Sequence, residues 1–143
     1  MSLIYSIRVD TAPVAKARPR VTMRGGKARA YTPKKSADYE RLIASHWKHA
    51  PTDKPVALRM EFGMPIPASW PKYRRAEALQ GSLLPAKKPD IDNLVKAVLD
   101  ALNGIAYDDD GQVVEVSARK VYTESPAVKV ELHDLGGNMY SAP

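Results

Sequence analysis

The sequence predicts a small single domain of the α+β class, a mixed β-sheet covered by two or three helices. Three observations predict it. At 143 residues, 44% of them hydrophobic and 27% charged, the chain can bury one real core and is short for two. Four stretches alternate apolar and more polar residues with the period of a strand. Helical patterns are interleaved with those stretches rather than set apart from them, which favours one layered domain.

Leu3, Tyr5, Ile7 and Val9 open the chain as a strand, which Ala12-Pro13 ends. From Pro13 to Thr32 there is no sustained apolar period, and Pro19, Gly25 and Gly26 predict an extended arm or loose hairpin. Ser36 to Trp47 reads as a helix whose buried face is Tyr39, Leu42, Ile43 and Trp47, bracketed by Pro33 and Pro51. Val56, Leu58, Met60, Phe62 and Met64 occupy every second position, the clearest strand in the chain, and Pro65 and Pro67 stop it. Ser69 is placed to cap a short helix from Pro71 to about Gln80.

The next helix has Asp92 or Asn93 as its cap and Gly104 just past its end. Leu94, Val95, Val98, Leu99 and Leu102 make its apolar stripe, opposite Asn93, Lys96, Asp100 and Asn103. Strands follow at Val113 to Tyr122 and Ala127 to His133, separated by Glu124-Ser125-Pro126. The domain should span 1–135, with 136–143 a loose tail.

Composition narrows the chemistry. The absence of cysteine excludes disulfides and thiolate metal sites, and the three histidines are scattered, so a metal would be held by carboxylates. Such oxygen donors suit magnesium, manganese or calcium. No stretch approaches the length of a bilayer span, and Met1 to Asp10 lacks the plan of a signal peptide, which predicts a cytoplasmic protein with no membrane partner.

The net charge of +6 is unevenly spread. Thr11 to Ala37 contains eight bases and no acid; Asp90 to Glu115 contains seven acids and a single base, Lys96. A basic arm beside an acidic cluster suits a metal-dependent enzyme acting on nucleic acid, where bases neutralise phosphates and acids hold the ion.

The acids lie in two motifs. In Lys88-Pro89-Asp90-Ile91-Asp92-Asn93-Leu94, Pro89 predicts an extended approach, which would put Asp90 and Asp92 on one side about 6.6 Å apart, with Ile91 facing the core. Tyr107-Asp108-Asp109-Asp110-Gly111-Gln112 follows the helix, and a hairpin-like return would bring it back beside the helix N-terminus. Each motif alone has a plainer reading. An Asp-x-Asp pair is usually a helix cap with a solvated neighbour, three aspartates before glycine are usually an exposed turn, and a basic arm can be a solvated loop. Lys96 can simply pair with Asp92 or Asp100 at helical spacing. An EF-hand loop is excluded by the missing alternation of ligands and distal glutamate.

Read together, these residues resemble the RusA family of Holliday-junction resolvases. The match rests on Lys88-Pro89-Asp90-Ile91-Asp92-Asn93-Leu94-Val95-Lys96, Asp100-Ala101-Leu102-Asn103-Gly104 and Asp109-Asp110-Gly111-Gln112-Val113-Val114. Pro13 to Arg20 and Tyr31-Thr32-Pro33-Lys34 extend it, so that it runs roughly from Ile4 to Leu132. The resemblance implies a homodimer that cuts branched DNA, four-way junctions above all, with Mg²⁺ as cofactor and Mn²⁺ as its alternative. By position it assigns the metal to Asp90, Asp92 and Asp110, with Asp109 as accessory, and gives Lys96 a catalytic role. Lys16, Arg18, Arg20, Lys87 and Lys88 become the expected DNA contacts; some relatives have an arginine where this chain has Pro89. The competing readings are a non-catalytic nucleic-acid-binding module, a flap or single-strand nuclease of the same fold, and a nucleotide-sugar transferase using Asp-x-Asp. The last leaves the basic arm unexplained.

Overall fold

The computed structural model describes residues 1–17 and 20–136, the side chains of Arg20 and Arg24 excepted. The expected tail beyond Gly136 therefore lies outside the described residues. Strand β1 spans Ser2–Val9, followed by a hairpin of β2 (Arg20–Arg24) and β3 (Lys27–Tyr31). Gly25 and Gly26 make its two-residue turn at φ 58° and 76°, a conformation that costs glycine nothing. Helix α1 (Lys34–His46), strand β4 (Val56–Pro65), helix α2 (Lys72–Leu79) and helix α3 (Ile91–Leu102) follow, then β5 (Val113–Thr123) and β6 (Ala127–Asp134).

The main sheet has the order β1-β6-β4-β5. β6 is antiparallel to both β1 and β4, whereas β5 runs parallel to β4. A parallel neighbour needs a long crossover, and the segment containing α2 and α3 supplies it. The domain is thus the mixed-sheet α+β fold that the pattern predicts, with three helices.

One sheet face carries the core. Leu58, Met60 and Phe62 of β4 and Val128, Val130 and Leu132 of β6 lie under Ile43 of α1 and Leu94, Val98 and Leu102 of α3. Burying a side chain such as Leu58 or Phe62 contributes about 1.5–3 kcal/mol each. The opposite face is a charged surface: Glu61 pairs with Arg119 at 3.0 Å and Lys129 at 3.5 Å across the strands.

Two details differ from the sequence reading. In α1 the buried face is Tyr39, Ile43 and Trp47, while Leu42 is exposed, because it lies a step around the helix from the other three. α3 is buried through Leu94, Ala97, Val98, Ala101 and Leu102; Val95 and Leu99 are only partly covered. Small alanines on that stripe let α3 approach its neighbours closely. Among the described residues, no helix is long and apolar enough to cross a membrane.

Candidate nucleic-acid and metal site

Asp90, not Asp92 or Asn93, is the N-cap of α3, with extended backbone at φ −70°, ψ 142°. Its carbonyl receives the first helical bond, from Leu94 N at 3.2 Å. Asp92 is therefore already in the first helical turn, where each residue rotates the side-chain direction by about 100°. The extended geometry expected for Asp90–Asp92 is corrected accordingly, and Ile91 is 38% exposed rather than in the core. The Lys88–Pro89 peptide bond leading into the motif is cis.

Asp90 pairs with a neighbouring cation. Lys88 Nζ lies 2.8 Å from Asp90 Oδ2 in an exposed pair. The Lys88 pKa is raised, first by its hydrogen bond to Asp90, then by the Asp90 charge, and further by the charge of Asp92. An exposed ammonium held this way is weakly bound and readily exchanged.

The second acidic segment is built differently from its expectation. Tyr107 bridges to Asn103, and Gly104 N donates to Tyr107 O at 2.9 Å. The segment is thereby anchored to the C-terminal end of α3 rather than returned directly to its N-terminus. Gly104 permits this with φ 77° immediately after the C-cap Asn103. The buried Tyr107 hydroxyl donates to Leu99 O at 3.0 Å. Burial first, and then the charges of Asp110 and Asp100, raise its pKa. Asp110 is therefore within electrostatic reach of the middle of α3.

Asp109, expected as an accessory metal ligand, is a cap. Its Oδ2 accepts from Gly111 N at 2.9 Å, and it forms a capping box with Gln112 around the short 3-10 turn Asp110–Gln112. Gln112 is buried and fully bonded: its Oε1 accepts from Asp109 N, and its Nε2 donates to Thr52 O and Lys54 O. The outcome is that Asp110 is left exposed at the head of a firmly pinned turn.

Among the described residues no three acidic or histidine side chains come together closely enough to hold a metal. The donor chemistry of Asp90, Asp92 and Asp110 fits a hard divalent ion. Lys96 is 62% exposed and 3.8 Å from Asp100, a loose pair that leaves it available.

Lys16 is corrected outright. Its ammonium lies 2.9 Å from Glu40 and 3.1 Å from Asp100, its side chain only 15% exposed, so it is an internal clamp rather than a free phosphate contact. Burial pulls its pKa down, but the bonds to Glu40 and Asp100 and their charges outweigh that and leave it raised. Together with the bond from Lys16 N to Asn93 O at 2.9 Å, the clamp ties the arm to the first turn of α3. Arg18 and the side chain of Arg20 lie outside the described residues. Beside the arm, a groove of about 540 Å³ runs between Pro13–Ala17, the start of α1 and Lys88-Pro89, with Lys35 and Lys88 on its rim.

Sequence reasoning missed Lys120. Its ammonium donates to Lys87 O at 2.8 Å and Pro89 O at 2.9 Å, fixing the segment just before Asp90. Only its anomalous position gives it away, a lysine facing the apolar side of a strand opposite Phe62.

Comparison with known proteins adds an independent line. A family model described as Endodeoxyribonuclease RusA matches residues 10–133. A Bacillus subtilis (strain 168) protein described as "Uncharacterized protein YqaN" is 40% identical over 129 residues, covering 86% of this chain and 91% of its own.

Proposed function

This chain belongs to the RusA endodeoxyribonuclease family, and from that premise we propose that it is a Mg²⁺-dependent nuclease that resolves four-way DNA junctions, acting as a homodimer. The observation that carries the reading is the start of α3, where the Asp90 carboxylate pairs with the exposed Lys88 ammonium two residues before Asp92, beside a groove lined by Lys35 and Lys88.

In this reading Asp90 and Asp92 hold the ion, and Asp110, exposed on its pinned turn, closes the set from the other side. A bound divalent ion would supply Lewis acidity at the phosphoryl oxygen and lower the pKa of a coordinated water. The chain's own residues do the rest. Lys88 gives up its place beside Asp90 and turns to a backbone phosphate in the adjoining groove. Lys96, one turn beyond Asp92, offsets charge that develops at the phosphate during cutting. Lys87, Arg18 and Arg20 add phosphate contacts, which position DNA without reading its sequence. Lys16 contributes indirectly, by holding the arm in place. A two-fold dimer matches the two nicks that a symmetric junction requires.

The test is cutting of a labelled four-way junction with Mg²⁺ or Mn²⁺, against flaps and linear duplex at equal concentration. Paired nicks in the junction are expected. Asp90→Asn and Asp110→Asn should each lower cutting by at least about a hundredfold, since a ligand of the catalytic ion is lost, while junction binding persists. Calorimetric Mn²⁺ binding should weaken in the same variants, independently of activity. Full activity in either variant would remove that residue from the site, and flaps cut in preference to junctions would favour the flap-nuclease alternative.

A further inference from the structure

A second basic surface stands apart from the acidic motifs, on the edge of β5. Helix α2 places three bases in four residues, Lys72, Arg74 and Arg75, with Glu77 as its only acid. Among the described residues none of the three bases forms an ion pair. The two arginines are held by other means. The Arg74 guanidinium lies 4.3 Å above the Trp70 ring. Arg75 donates to Pro67 O at 3.4 Å. Trp70 itself is braced edge-on by Tyr122 at 5.3 Å. Between Lys72 and Arg74, Tyr73 is 69% exposed, its ring in water.

A lone exposed tyrosine needs no explanation, and neither does one surface lysine. The combination is less ordinary. Stacking on Trp70 fixes the plane of Arg74 and leaves its N–H edges for an outside acceptor. Two uncompensated cations flank an aromatic face, the chemistry that binds a strand by phosphate contact and base stacking. The surface and the acidic motifs also meet the same strand. Tyr122 and Lys120 share one face of β5, two residues apart, and Lys120 holds the carbonyls of Lys87 and Pro89 that lead into Asp90.

We propose that Trp70–Arg75 is a second DNA contact, in which Lys72 and Arg74 bind phosphates and Tyr73 stacks on an unpaired base at the branch point. The inference rests on the nuclease reading for the identity of its polyanion, so its test reads binding rather than cutting.

The experiment measures the affinity of full-length Asp90→Asn protein for a fluorescent four-way junction and a matched linear duplex, without divalent ions, across a series of salt concentrations. Adding Lys72→Ala should lower the slope of log affinity against log salt by about 0.9, the loss of one phosphate contact. Adding Tyr73→Ala should weaken junction binding by about tenfold, with little effect on the duplex, while Tyr73→Phe should retain it. Both side chains are exposed, so a folding defect is not expected; circular dichroism checks it. An unchanged salt slope together with equal junction affinity in Tyr73→Ala would overturn the proposal. So would equal losses on junction and duplex for Tyr73→Ala. Wild-type protein that cuts nothing yet binds junctions through Lys72 and Tyr73 would refute the nuclease reading and uphold this one. Junction cutting with both variants binding normally would do the reverse.

Discussion

Gln112 links two parts of the molecule through one buried amide. It joins the turn that carries Asp110 to the loop at Thr52 and Lys54, 60 and 58 residues away in sequence. Gln112→Ala removes three hydrogen bonds and empties a buried side-chain position, which should cost about 2–4 kcal/mol. Thermal unfolding should then shift down by roughly 5–12 °C; a shift below a degree would mean the amide is dispensable. Lys16 makes a complementary case. Lys16→Met leaves Glu40 and Asp100 facing each other and should cost about 1–2 kcal/mol after screening. Its raised pKa fixes the sign of the pH effect: the stabilisation is complete below the ordinary lysine value of 10.5 and is lost as pH rises through the higher folded value. The gap between wild type and Lys16→Met in urea titrations should therefore be constant near neutrality and close only in strong alkali. A gap that closed below pH 9 would rule the clamp out. From sequence, Lys16 looks like every other base in its run. Its partners lie 24 and 84 positions away, and charge composition does not say which acids meet it in space.

Elements were far more legible than contacts. The strands declare themselves because one face of the sheet meets the core and the other meets water, which writes a period of two into Leu58, Met60, Phe62 and Met64. Helix α3 was legible for the same reason at a period of 3.6. Its first residue was not, since Asp90, Asp92 and Asn93 are all good caps and only the backbone decides among them. The pairing of β5 beside β4 was also hidden, because alternation records which face is buried but not which strand lies alongside. That pairing places Lys120 under the loop before Asp90. Lys120→Met should free the Lys87 and Pro89 carbonyls, raise hydrogen exchange between residues 85 and 90, and reduce junction cutting by about ten- to a hundredfold, as misplaced catalytic groups do. Affinity should change little. Unaltered exchange with full cutting would show that the tether is incidental.

For the molecule as a whole, charge is segregated by the fold as well as by the sequence. The arm, its groove and the cap of α3 lie together because Lys16 and Asn93 join them, and Asp110 is held to the far end of α3 by Tyr107. The α+β class could be read from patterning, and the resemblance that pointed to branched DNA is matched by a family model over residues 10–133. What patterning could not supply was the mutual distance of three acids from separate segments, which depends on packing and on the cation itself. The most direct measurement is anomalous diffraction from crystals of the intact protein soaked in Mn²⁺. A peak within coordination distance of Asp90 and Asp92 is the result expected. Manganese bound elsewhere, or no peak at the start of α3 at saturating ion, would contradict it.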